Sequence, residues 1–535
     1  TPVEMKRLSS DTTFESTLER YEGMLVKTVE DMGKTDLEIA AIEELVSAVT
    51  VDAVEGESEQ DYTDRLEAAQ TARRTALMAE KYDLRVSRSF SFDYDAFRNN
   101  MVLAYKRPNP QPNQGHVAGS DDSIAQSEEN DDFRLILESD QKADNGQIPY
   151  YPAFNATPQD NYVRIDDSVI GLTGVIDYAY GDFRMVVPTE DDSADYPAIT
   201  FSHNTDRTDA PSLNESYGDD GFTIKVATQN VLNYFNSPFG GSDNSFGDNR
   251  GADSEQEFER QQAKIVEAIY GLDADILGLM EIENNGFGDF SAINELLAAI
   301  NAKYDDEDYG DRDEQNSIHN RYVFVGFDKN GDTVLDEYDT VGSDAITSGV
   351  IYRPSKVQIA FGKVIPMPEQ HAPMIVDENN APLLDSKGEI RESGDNYQRH
   401  TVAATFNVIN TGKRLTVAIN HLKSKGSTCY EDWVGWEQWE DFDRVKDDVP
   451  NEDFQGSCEN FRVAAAYHLG NEMDKIDGDK VVLGDMNSYA HEDPMLVLTS
   501  NPTNKAIYAA GYTTIDGEKQ FGPEGQRITK TFGYL

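Results

Sequence analysis

Four apolar, β-rich runs in this chain each end on a residue able to do chemistry, and that repeated build constrains the fold more than any other feature. The most informative is Val481-Val482-Leu483-Gly484-Asp485-Met486-Asn487-Ser488, where an apolar run delivers an Asp and an Asn, two residues apart, to its polar end. Side chains two apart on a strand share a face, so a carboxylate and an amide can converge on a metal-bound phosphate. The runs 224–230, 276–281 and 415–421 end in the same way, on Asn230, Glu281 and His421.

A chain of 535 residues has room for two or three domains, each with its own core. Its 99 acidic against 46 basic residues give a formal charge of −53. A uniformly acidic surface repels nucleic acid, so any polyanion site must be a local basic or metal-loaded concavity. The charge reads as a surface adapted to salty water, where screening acts over about 8 Å or less; the other reading is an acidic shell for a specific partner. No apolar run reaches the roughly 18–20 residues of a membrane span, and the polar start Thr1-Pro2-Val3-Glu4 has no signal-peptide pattern, which reads as a processed chain. The only cysteines, Cys429 and Cys458, flank an acidic, Trp-bearing loop. A disulfide fits a secreted protein, and two thiols would fit a reducing compartment. A zinc site is not expected, because only His421 accompanies them.

Strand-like stretches at 21–26, 84–90, 101–105, 133–137, 168–180 and 183–187 predict a small barrel or sandwich in the first part of the chain. Residues 36–81 interrupt it with helical spacing, as in Leu66, Ala69, Ala72 and Leu77, and predict a helical hairpin. The acidic, Ser-rich 119–132 reads as a mobile loop. The Asn-, Asp-, Ser- and Pro-rich 206–221 reads as a linker, which divides the chain into 1–205 and 222–535. Strands then alternate with helices: strands near 223–229, 276–280, 322–327, 349–352, 400–408, 415–421 and 481–483, and helices near 254–270, 290–304 and 458–475. That layout predicts an α+β sandwich of two facing sheets with helices outside. Asp328-Lys329-Asn330-Gly331-Asp332 begins like a calcium loop, but its sixth position is Thr333 and its twelfth Asp339, so a type I′ hairpin at Asn330-Gly331 is expected instead.

Glu281 emerges from a buried-type strand, where a hard oxygen suits Mg²⁺, Mn²⁺ or Ca²⁺; Glu283 and Asn284 offer a second ligand or a loop cap. His421, followed by Lys423 and Lys425, marks a local anion-binding spot in an acidic chain. Arg399 precedes a β run and suits a phosphate clamp; Arg353 is either a clamp or a structural ion pair.

The order Asn230, Glu281, Arg399, His421, Asp485-Met486-Asn487 resembles the endonuclease/exonuclease/phosphatase superfamily, and more closely its bacterial extracellular nucleases. Supporting stretches are Arg250-Gly251-Ala252-Asp253-Ser254, Met280-Glu281-Ile282-Glu283-Asn284 and Asn420-His421-Leu422-Lys423-Ser424-Lys425-Gly426. Upstream, Leu18-Glu19-Arg20-Tyr21-Glu22-Gly23-Met24 and Gly171-Leu172-Thr173-Gly174-Val175 resemble the OB-like domain that precedes the catalytic domain in those nucleases. The resemblance implies a four-layer α/β/β/α sandwich behind a small OB-like β-barrel with a helical insert. Phe90, Phe92, Tyr94, Phe97 and Arg98 would offer that barrel a strand-binding face, with core packing as the alternative use.

By the same resemblance, Glu281 holds the principal divalent metal, Mg²⁺ with Mn²⁺ or Ca²⁺ as alternatives, with help from Asn230. Asp485 orients water or assists the metal, Asn487 binds a phosphate oxygen and His421 supplies a proton or hydrogen bond. Arg399 and Lys423 hold the phosphate. The implied function is a secreted nuclease acting on DNA, with RNA as an alternative, with no stable protein partner. A phosphodiesterase for phospholipid or small esters, for which Trp433, Trp436 and Trp439 speak, and a catalytically impaired binding protein are the competing readings. The family pattern closes on an Asp-His pair, whereas the sequence stops at Phe532-Gly533-Tyr534-Leu535. The expectation is a chain incomplete at that end.

Overall fold

The structure is a computed structural model that describes residues 1–54, 56–89, 100–139, 147–148, 150–188, 199–205, 223–247, 249–308, 320–377, 379–384, 388–435 and 453–534. Phe90, Phe92, Tyr94, Phe97, Arg98, Trp436, Trp439, Leu535 and the linker 206–221 lie outside the described residues. The chain divides into two units: Thr1–Pro112 with Ile124–Thr208, and Asn113–Ser123 with Asp209–Leu535.

The first unit carries one mixed nine-stranded sheet. In spatial order its strands are Val3–Glu4, Leu25–Lys27, Thr173–Ala179, Asp182–Val187, Arg134–Ser139, Asn100–Tyr105, Leu84–Arg88, Ser168–Ile170 and Thr200–Ser202. The predicted strand at 21–26 forms later and shorter, as Leu25–Lys27, and an unanticipated helix, Phe14–Tyr21, precedes it. The helix's cause is a capping box, in which the Thr13 side chain accepts from Ser16 N and Ser16 caps the Thr13 N–H, and a buried stripe of Phe14, Leu18 and Tyr21 at helical spacing. Residues 36–81 form the helices Asp36–Ser47 and Glu59–Ala79, tied by an Arg74–Glu43 ion pair at 2.7 Å. The expected loop at 119–132 is instead a helix, Asp121–Phe133. Asp121 and Asp122 complement the helix dipole at its start, and near its end Asp132 accepts from the N–H groups of Phe14 and Glu15, opening the neighbouring helix.

Among the described residues the second unit holds three four-stranded sheets and one two-stranded sheet; two of the four-stranded sheets build the sandwich, and their elements are numbered here within this unit. The first sheet has the order β1 (Val226–Tyr234), β2 (Ile276–Glu283), β4 (Ile346–Tyr352), β3 (Val323–Phe324). The second runs β5 (Val357–Ile365), β6 (Thr401–Val408), β7 (Arg414–His421), β8 (Asp479–Asp485). β5 was not anticipated, because its exposed residues obscure the alternation. The sheets face each other through Ile276, Val350, Ala404, Phe406, Val417 and Ile419, all fully buried. A Cβ on Gly278 would lie 2.2 Å from Ile419 Cδ1, so glycine sets how closely the sheets approach. Ile419→Ala would open a cavity there costing about 2–5 kcal/mol.

Helices close both outer faces. α1 (Glu255–Leu272), capped by the Ser254 side chain on Glu257 N, and α2 (Ala292–Asp308) cover the first sheet with Ile265, Ile269, Leu296 and Ile300. α3 (Glu459–Asp474) sets Val463, Ala464, Leu469 and Met473 against Ala403 and Ala418 of the second. Small residues on both sides allow that close approach. Asn113–Ser123, which the sequence placed in the first domain, joins this unit: Asn113 Nδ2 donates to Asp453 O at 2.9 Å, and His491 N to Asn113 O at 3.0 Å.

The predicted hairpin at Asn330-Gly331 does not form, since β3 pairs with β4. Asp328 instead accepts from the N–H groups of Gly331 and Thr333, Asn330 from Asp332, and Asp332 from Val334. Short polar side chains have captured the backbone donors that a ladder would use.

Candidate active site

β1, β2, β7 and β8 all finish at one rim of the sandwich, while the antiparallel β4 and β6 begin there. The parallel register sets His421 opposite Asp485, and Asn230 opposite Met280. Gly484 makes the first pairing feasible: its φ is +130°, and a Cβ there would lie 2.0 Å from Asn420 O. The ladder slips on both sides of Glu281, which adopts φ +66°. Bulges re-aim side chains, and here the Glu281 carboxylate accepts from Asn230 Nδ2 at 2.8 Å and Asn233 N at 2.9 Å.

Asn230 Nδ2 also donates to Asp485 Oδ2 at 3.2 Å, while Leu232 N fixes its Oδ1 at 2.9 Å. His421 Nε2 lies 3.8 Å from Glu281 Oε1 and 3.9 Å from Asp485 Oδ2. Glu281, His421 and Asp485 thus offer ligand atoms all within 4.8 Å of one another. Two hard carboxylates with one imidazole form a donor set that fits a divalent cation. Burial, and then the Arg399 charge, push the His421 pKa down to about 4, against the opposing pull of Asp485 and Glu281. Its Nδ1 is buried without a hydrogen-bond partner.

A cationic arm adjoins the carboxylates. Arg399 Nη1 is 3.5 Å from His421 Nε2, and its Nε is 3.2 Å from Asp344 Oδ2; the other Asp344 oxygen takes Arg250 Nη1 at 2.9 Å. The Lys423 N–H donates to Gln398 Oε1 at 2.7 Å, and burial and then Arg399 push the Lys423 ammonium below its ordinary pKa. Asn487, at φ +46°, donates its backbone N–H to Asp485 Oδ1 at 2.9 Å and its amide to Leu422 O at 2.9 Å. It therefore buttresses Asp485 with its backbone, and its side-chain nitrogen turns to the β7 end.

Asp344 and the bridge to Arg250 were missed. The available signal was topological: an antiparallel strand begins where its neighbours end, so the residue ahead of β4 reaches the same rim as Glu281. Asn284 resolves as a loop cap, accepting from Val341 N at 3.0 Å and donating to Val341 O and Asp344 O at 2.8 Å each. Glu283 is also a cap, accepting from the backbones of Asn236 and Ser237 and from the Ser237 hydroxyl. Arg353 is structural: 3% exposed, it sits at the opposite end of the sheet against Asp273 at 2.6 Å. Cys429 and Cys458 form the disulfide, and Asp432 Oδ2 accepts from both their N–H groups. Trp433 is 1% exposed, beneath the Arg391 guanidinium, so it is core rather than a membrane wedge.

No family model and no curated protein matches the chain. Solved structures similar to it include the human Nocturnin catalytic domain with bound sulfate, at 16% identity over 54% of this chain and 71% of that one, with a TM-score of 0.28. An endonuclease/exonuclease/phosphatase from Bacteroides vulgatus aligns at 14% identity over 53% and 72%, TM-score 0.25. The Bacteroides thetaiotaomicron mannosyl-6-phosphatase aligns at 14% over 51% and 70%, TM-score 0.27. Likenesses this distant assign no role to any residue here.

Proposed function

We propose that this chain is a secreted, metal-dependent nuclease that hydrolyses the phosphodiester bonds of DNA, with RNA as a second polymer, and with little sequence preference. The observation that carries the reading is the meeting of Glu281, Asp485 and His421 within 4.8 Å beside the Arg399 and Lys423 cations, in a chain whose formal charge is −53. Glu281 and Asp485 would hold Mg²⁺, whose charge offsets that of the phosphate and lowers the pKa of a bound water, and Asn230, whose amide nitrogen donates to both carboxylates while its oxygen is taken by Leu232 N, orients them instead of ligating the metal. Arg399 and Lys423 bind non-bridging phosphate oxygens, and Asp344 keeps the Arg399 fork oriented. His421 Nε2, facing both carboxylates, serves the reacting phosphate as hydrogen-bond or proton partner, and Asn487 keeps Asp485 aimed. In this reading the first unit is an OB-like module that delivers the polymer strand, and the Cys429–Cys458 disulfide belongs to an oxidising, extracellular setting.

The test uses the full chain with supercoiled plasmid DNA and with RNA, in Mg²⁺, Mn²⁺, Ca²⁺ or chelator. Hydrolysis of nucleic acid that needs the metal and is lost in Glu281→Gln and Asp485→Asn is expected. Intact nucleic acid alongside hydrolysed phospholipid headgroups would overturn the reading.

A further inference from the structure

Between the two edge strands β3 and β5 lies a cleft of about 660 Å³, outside the carboxylate cluster and unused by the chemistry above. Its volume is within the roughly 300–1,000 Å³ usual for a site that takes one small molecule or one group of a larger one. Val325, Phe327 and Val364 line it with apolar surface. Gly362 of β5 makes room for that wall, because a Cβ there would stand 3.2 Å from the Phe327 ring and 3.3 Å from Val325. The polar lining is Asp328, Lys329, Thr340, Ser343, Glu369 and His400, with Lys329 Nζ donating to Thr340 Oγ1 at 2.8 Å.

The cleft is continuous with the cationic arm by single peptide steps. Gly342 and Ser343 line it, and the next residue is Asp344; His400 lines it, and the residue before is Arg399. Gly342 and His400 touch, since a Cβ on Gly342 would be 3.3 Å from the imidazole Cγ. A phosphate held on Arg399 therefore has the cleft as its neighbour. A second phosphate would not be welcome there, because Asp328 and Glu369 both contribute to the lining. A flat, uncharged ring with hydrogen-bonding edges would be, stacking on Phe327 with its edge toward His400, Glu369 and Thr340.

We propose that this edge cleft receives one unpaired nucleobase next to the scissile phosphate, so that the enzyme favours single-stranded nucleic acid or frayed ends over duplex. A paired base has both faces stacked and its edge engaged, and would have to be extruded at a cost of a few kcal/mol before entering. The inference rests on the phosphodiesterase reading for its catalytic consequence but not for its binding consequence, and the experiment separates them.

Full-length protein is titrated by fluorescence anisotropy, in chelator, against a labelled short single-stranded DNA and the same sequence as duplex. Cleavage of both and of bis(4-nitrophenyl) phosphate is then followed in Mg²⁺. The single strand is expected to bind more tightly than duplex, and Phe327→Ala to weaken its binding about 5- to 100-fold, with a matching fall in kcat/KM for the single strand relative to the small ester. Ile359→Lys, on the exposed side of the cleft, is a second variant, and circular dichroism verifies that each folds. Equal affinity for single strand and duplex, or full affinity in both folded variants, would overturn the cleft proposal while leaving phosphodiester hydrolysis standing. Phe327-dependent binding with no hydrolysis of any substrate would leave the cleft standing and overturn the phosphodiesterase.

Discussion

The two ends of the β1–β4 sheet treat charged side chains in opposite ways. At the end where β2 begins, Arg353 meets Asp273 at 2.6 Å and Asp275 at 3.5 Å, and its guanidinium lies against the rings of Tyr304 and Tyr322. Lys225 adds a second cation on Asp273 at 2.6 Å. Burial alone would raise the Asp273 pKa, and the bonds from Lys225 and Arg353 outweigh it, leaving the carboxyl below its ordinary value. At the other end, Glu281 and Asp485 converge on one amide and one imidazole, on a backbone with positive φ at Leu232, Asn233, Glu281 and Asn487. Charge balance marks structure; converging carboxylates on a strained backbone mark a candidate cation site.

The sharpest way to break this contrast is to remove charge at each end in turn. Glu281→Gln and Asp485→Asn should lower hydrolysis by about 10³-fold or more, equivalent to roughly 4 kcal/mol of transition-state stabilisation. Because each removes one of two converging negative charges, the melting temperature in chelator should stay level or rise. Loss of activity accompanied by a large fall in melting temperature would mean that the rim carboxylates are structural after all. Arg353→Met should do the reverse. It strands Asp273 and Asp275 without their buried partner, at a cost of about 3–5 kcal/mol in stability, while kcat/KM per folded molecule is unchanged. Chemical denaturation with an activity assay on the native fraction checks both halves.

Asp344→Asn tests the intermediate case, a carboxylate at the rim that is balanced, lying between Arg250 and Arg399. As a positioning residue it should affect binding more than chemistry. The expected result is a KM raised about 10- to 50-fold, or roughly 1.4–2.3 kcal/mol, with kcat within about threefold and a weaker dependence of KM on salt as the arm loses its hold on phosphate. A fall confined to kcat would place Asp344 in the chemistry instead.

Much of this was legible because strand ends are punctuated by residue type. Asn230, Glu281, His421 and Asp485 each terminate an apolar run, and one topology brings all four to one rim. Asp344 was not legible in that way, since it precedes its strand and sits among Gly342, Ser343 and Ala345, which look like any turn. Arg353 was equally consistent with clamp and ion pair until the register put it beside Asp275 rather than Glu281. In the first unit, the helix Phe14–Tyr21 was not anticipated and Asp121–Phe133 was read as a loop, because the first depends on its cap and on a partner carboxylate, Asp132, more than a hundred residues away. β5 was hidden by its exposed middle. Tertiary partners, invisible in a local window, decided each of these cases.

A further pair of neighbouring carboxyls probes whether like charges alone identify a site. Glu459 at the start of α3 adjoins Asp493 and Asp453, and burial first, then Asp493 and Asp453, raise its pKa to about 9. This group differs from Glu281 and Asp485 in having a cation in direct contact with its carboxylates: Lys505 Nζ lies 2.7 Å from Asp493 and 3.5 Å from Asp453, and Arg462 is buried nearby. A carboxyl whose folded pKa is raised binds a proton more tightly in the folded state. The folded chain therefore holds an extra proton between the ordinary carboxylate value of 4.5 and about 9, and stability falls as pH rises through that window. Glu459→Gln, which keeps the hydrogen-bonding shape without the ionisation, should flatten that fall and raise stability near pH 8 by about 1–2 kcal/mol, less than full linkage because buried groups relax. Urea unfolding from about pH 5 to pH 9 measures it. An unchanged slope would show that Glu459 is ionised in the folded chain, with Lys505 serving both carboxylates, and that a single nearby cation is enough to make converging acids structural.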